Sequence, residues 1–110
     1  MSIIGMEIIQ QMAIAMLHDV DNQLVKFAQI KSSLMAGMDD YLTTMSSLDP
    51  NSPEFKIIQK KRQQLAAYEK KIDMEIQRYQ NQRQKLEHQL NNAGRMIDRN
   101  INRAYGGHGR

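Results

Sequence analysis

Asp49-Pro50-Asn51-Ser52-Pro53 is the one place inside this 110-residue chain where helix formation has to stop. Pro50 and Pro53 each lack a backbone donor, and each pushes the residue before it away from helical backbone angles. Ser52 is a natural helix N-cap, with Pro53 at the first helical position and Glu54 and Phe55 following. The stretch therefore predicts a turn at 48–53, a helix over 3–47 before it and a second helix over 54–104 after it.

Upstream of the turn there is no proline, and Gly37 is the one glycine interior to the first helix after Gly5. A mid-helix glycine costs about 1 kcal/mol relative to alanine, so it marks a bend or a close approach. Apolar residues recur at Ile9, Ala13, Leu17, Val20, Leu24, Phe27, Leu34, Met38, Leu42 and Met45, in steps of three, four or seven, which is helical periodicity. Downstream, positions 65, 68, 72, 76, 79, 83, 86, 90, 93, 97, 101 and 104 form a second stripe, apolar except at Arg83. Outside it the segment is almost all Lys, Arg, Gln, Glu and Asn, the composition of a solvated face. At 1.5 Å per residue the two helices would be ~65 and ~75 Å long. Such lengths predict an all-α fold: a long antiparallel two-helix hairpin resembling a coiled coil, forming one domain over 1–104, with residues 105–110 as a loose Gly-rich tail.

Folding the chain back at the prolines pairs positions whose numbers sum to about 103. Arg83 then faces Val20, with Asp19 and Asp21 beside it, and Lys31 falls near Asp73 and Glu69. Exposed pairs are worth only ~0–1 kcal/mol, so their expected effect is to fix register: a slip of one turn would leave Arg83 against apolar residues. Charge is distributed unevenly as well. Residues 1–48 carry a formal −3 and residues 49–110 a formal +6, which favours the two halves lying side by side.

The first third of the chain has more apolar surface than one seam can cover. Ile4, Ile8, Met12 and Ala15 fall on a flank roughly 90–180° from the stripe. A two-helix hairpin buries one seam only, so a second contact surface on that flank is expected, and copies of the same chain are its expected partner. From Ile8 to Leu17 there are ten uncharged residues, about half of what a bilayer requires, so no transmembrane span is expected; the start also lacks the basic flank of a cleavable signal.

The remaining chemistry points away from catalysis. His18 and His88 would lie near each other, with Glu87 adjacent, but no pair of ligands shares a helix face at the spacing a zinc site uses, and no metal or other cofactor is expected. Lys60, Lys61, Arg62 and the arginines at 78, 83, 95, 99 and 103 raise the alternative of a basic nucleic-acid-binding or chaperone-type adaptor. Interleaved Glu69, Asp73, Glu75, Glu87 and Asp98, with Tyr68 and Tyr79 assigned to the stripe, argue against nucleic acid. No nucleophile stands beside a base, and the chain, free of cysteine, has no thiol chemistry, so no enzyme is expected.

Pro50-Asn51-Ser52-Pro53 resembles the Pro-x-x-Pro turn of type III secretion needle subunits, in which a helix begins at the second proline and a tyrosine follows, as Tyr68 does here. Length and paired helices are also similar to the Trp-x-Gly helical-hairpin family of type VII secretion, although the chain has neither that Trp-x-Gly turn nor the family's tail signal. The resemblance covers about residues 45–70. It implies a polymerising or secreted subunit of a surface assembly, made in the cytoplasm, exported by a specialised machine and meeting secretion-machinery or chaperone proteins.

Overall fold

The computed structural model describes residues 2–105 and consists of two helices, α1 (Ile3–Ser46) and α2 (Pro53–Tyr105), with no strand among the described residues. The fold is an all-α antiparallel helical hairpin. The expected tail at 106–110 lies outside the described residues. α2 begins at Pro53 itself and ends at Tyr105, and α1 stops at Ser46, each one residue from the boundary the sequence predicts.

The turn is built from side-chain capping. The α1 terminus tightens as the Ser47 and Leu48 N–H groups donate to the Thr44 and Met45 carbonyls at 3.2 and 3.1 Å, three residues back instead of four. Asp49 Oδ1 then accepts the Asn51 N–H at 3.0 Å, a local turn that Asp makes with its own side chain. Ser52 Oγ accepts the Phe55 N–H at 3.2 Å and donates to the Asp49 carbonyl at 2.7 Å, closing α2's first turn. None of the described residues needs a positive φ, so the reversal requires no glycine.

The chain packs as two units, both made of antiparallel pieces of α1 and α2. One unit is the contiguous hairpin Leu24–Arg78. Its α1 seam is Leu24, Phe27, Lys31, Leu34, Met38, Tyr41 and Met45, and its α2 seam is Phe55, Ile58, Arg62, Leu65, Glu69, Ile72 and Ile76; all are buried or half-buried. Gly37 sits where the helices come close: a Cβ there would lie 3.3 Å from Leu65 Cδ1.

The other unit joins Met1–Gln23 to Tyr79–Arg110. Met6, Ala13, Val20, Leu86 and Ala93 are buried in it, Val20 most completely at 2% exposure. Asn100 Nδ2 approaches Met6 Sδ at 3.5 Å, fixing the antiparallel alignment near the start of α1.

In each unit the seam advances in alternating steps of three and four, the coiled-coil rhythm, and this corrects the stripes read from the sequence. Ile9 and Leu42 are exposed, and Met6 and Tyr41 take the inward places; likewise Tyr68 and Ile101 are exposed, while Glu69 and Asn100 are half-buried. The rhythm sets which residue turns inward, and a polar side chain is tolerated there if its aliphatic stem packs and its head reaches a partner or water.

Candidate interaction surface

From Ile3 to Leu17, α1 is apolar on every side except at Glu7, Gln10 and Gln11. Its inward face, Ile3, Met6, Gln10, Ala13 and Leu17, is buried or half-buried against α2. The rest faces outward: Ile4 is 70%, Ile8 52% and Met12 58% exposed, with Ile9, Ile14 and Met16 also open. Ala15 is exposed as well, so all four residues of the flank singled out in the sequence stand in solvent. Ser2 caps this helix, its Oγ accepting the Gly5 N–H at 3.1 Å. Among the described residues, the α2 part of the same unit presents almost only polar and charged side chains outward, apart from Met96 and Ile101. The apolar surface of α1 here extends beyond the side that α2 covers.

Two of the charged seam residues, Arg83 and Lys31, meet carboxylates. Arg83 Nε lies 2.9 Å from Asp21 Oδ1 and 3.6 Å from Glu87 Oε1, with all three side chains about half exposed. Lys31 Nζ donates to Asp73 Oδ1 at 2.7 Å. That hydrogen bond and the Asp73 charge, with a smaller contribution from Glu69, hold the Lys31 ammonium above its usual pKa against a minor opposing effect of burial. Asp19, expected beside Arg83, is exposed and belongs instead to the outer side of α1.

The basic triplet does not form one patch. Lys60 and Lys61 are exposed, but Arg62 is a half-buried seam residue whose Nε is enclosed without a hydrogen-bond partner. Tyr68, placed in the packed stripe by the sequence reading, instead lines a surface groove with Lys71, Met74 and Glu75, among others. His18 and His88 are both exposed, and no group of three or more His, Asp or Glu side chains able to hold a metal occurs among the described residues.

By length and composition α1 is long and apolar enough to cross a membrane; mostly buried core helices of soluble proteins pass the same test, and 17% of the apolar window of α1 is buried. Comparison of the chain with protein-family models, with curated proteins and with solved structures gives no match.

Proposed function

We propose that this protein is a non-enzymatic assembly subunit, a helical hairpin that works by associating with copies of itself through the outer face of α1 around Ile4, Ile8, Met12 and Ala15. The observation that carries the reading is the exposure of that face. Ile4, Ile8, Ile9, Met12 and Met16 stand open on it within thirteen residues, with Ile14 open on another side of the same helix, whereas exposed large apolar side chains are widely spaced on α2. Scattered apolar residues on a surface need no explanation, but a contiguous patch signals a contact. Methionine suits such a contact because its flexible thioether packs against imperfectly matched surfaces. Subunits of a secreted or surface filament would use such a face to polymerise.

Sedimentation velocity from low to high micromolar concentration tests the reading. Mass should rise with concentration, and the double substitution Ile8→Lys with Met12→Lys should return the protein to monomer at unchanged helicity. A wild-type chain that stays fully helical and monomeric at high micromolar concentration would refute self-assembly.

A further inference from the structure

The outer face of α1 has polarity along its length as well as hydrophobicity, and that determines how a second copy fits. At 100° per residue, Ile4, Gly5, Ile8, Ile9, Met12, Ala15 and Met16 fall within an arc of about 140°, and no polar residue between 4 and 16 enters that arc. The next residue in the middle of the arc is Asp19, which is exposed. The arc thus runs from the capped N-terminus of α1, where the first backbone N–H groups and the helix dipole give positive potential, to a carboxylate at its other end.

Charges on α2 reinforce this at the first end only, and at the other end the acids belong to α1. Around Asn100, which touches Met6, Arg95, Arg99 and Arg103 of α2 outnumber Asp98; around Val20, α1 contributes Asp19 and Asp21, while α2 contributes Arg83, Lys85 and Glu87.

We infer that two copies join through this arc with their α1 helices antiparallel, centred near position 10, so that Ile4 packs on the other copy's Met16, Ile8 on its Met12, and each Asp19 lies at the first turn of the other α1. This rests on the self-association reading above and specifies its geometry. A parallel pairing would set Asp19 against its own copy and one positive helix end against the other, which opposes binding. The exposed apolar side chains of the arc offer on the order of 500 Å² per copy, so a twofold contact covers about 1,000 Å², near the lower bound for a specific interface. The pairing is therefore a weak, concentration-dependent dimer, suited to a contact repeated in a larger assembly.

The chain contains no cysteine, so single thiols report cleanly. Ile4→Cys and Met16→Cys proteins are prepared separately and mixed, then oxidised with copper-phenanthroline at a concentration where the wild type sediments as a dimer. The antiparallel pairing gives a disulfide-linked dimer from the mixture, at least several-fold above either protein alone, because like positions lie about 18 Å apart along the axis. Asp19→Lys should weaken the dimer about tenfold or more without loss of helicity.

Dimers cross-linked from each variant alone and not preferentially from the mixture would overturn the antiparallel geometry and leave self-association standing. An unchanged dissociation constant for Asp19→Lys would also overturn it. Monomer throughout would overturn both readings. So would monomer in solution that co-sediments with vesicles of phosphatidylcholine and phosphatidylglycerol, in which case the face belongs to lipid.

Discussion

Replacing Arg83 with leucine separates stability from register, two properties the seam joins at this position. Arg83 takes an inward step between Tyr79 and Leu86, yet it keeps 48% of its side chain exposed and reaches sideways to Asp21 at 2.9 Å, itself 47% exposed. An ion pair that wet contributes below about 1 kcal/mol, and the spacing to Glu87 adds about 0.3–0.5 kcal/mol. Asp21 and Glu87 remain hydrated when the guanidinium is removed, so no buried charge is left behind. A fully buried leucine gains roughly 1.5–3 kcal/mol; at a half-covered position about half of that survives, reduced further because arginine's methylenes already cover part of the same surface. The terms nearly cancel, and Arg83→Leu should change unfolding free energy in urea by no more than about 1 kcal/mol, with the sign favouring leucine.

Register should respond differently. A heptad slip displaces one helix about 10 Å along the other, and it becomes less costly once Arg83 no longer has to move against apolar residues, with Lys31, Arg62 and Glu69 the charges left in the seam. Cysteines at Met6 and Asn100, which touch in the native alignment, form a disulfide only if that alignment holds. Cross-linking in the Arg83→Leu background should therefore fall while helicity by circular dichroism stays unchanged. Undiminished cross-linking would refute the register role, and a loss of more than about 2 kcal/mol would refute the weak-pair energetics.

Other substitutions probe the remaining parts of the hairpin. Gly94→Ala should stabilise by about 1 kcal/mol in thermal or urea unfolding, because a Cβ there meets nothing within 4 Å and the helix gains alanine's propensity. Val20→Ala, at the most enclosed side chain, should cost about 2 kcal/mol by the same assay, from two lost methyl groups and the void they leave. Ser52→Ala removes the hydroxyl that accepts the Phe55 N–H and should cost about 1 kcal/mol, whereas Ser52→Gly should cost only a few tenths. The raised Lys31 pKa makes its pairing with Asp73 stabilising below the lysine's unfolded pKa for as long as Asp73 is ionised, and that increment is lost as pH rises through the higher folded value. The stability difference between wild type and Lys31→Met should thus stay constant from pH 6 to 9 and move in favour of the methionine variant as pH rises above ~10.5.

The turn was readable because proline and serine act locally: two missing donors and one capping hydroxyl decide the chain reversal before any packing is considered. Helix type followed from spacing for the same reason. The inward face was harder. Between Ile3 and Leu17 nearly every position is apolar, so spacing alone cannot distinguish a seam through Met6 from one through Ile9. Adjacent apolar pairs posed the same ambiguity at Tyr41 and Leu42. At Tyr68 and Glu69 polarity itself misled, because the α2 position turned inward is a carboxylate, whose charge adds a smaller effect to that of Asp73 on Lys31. The strict alternation of threes and fours, followed through polar positions as well as apolar ones, is the signal that would have resolved all of these. Exposure of the α1 flank was legible, since the surplus of apolar residues exceeds what one facing helix can cover.

The division of the chain into a contiguous hairpin and a unit made from distant segments has a consequence for synthesis. Lys31 and Asp73 are 42 residues apart, but Met6 and Asn100 are separated by 94. At 5–20 residues per second, the ribosome delivers Asn100 roughly 5–20 s after Met6. Through that interval the most apolar stretch of the protein has even its inner side uncovered by α2, so a nascent-chain holdase is most needed here, and slowing translation late in the message should increase aggregation.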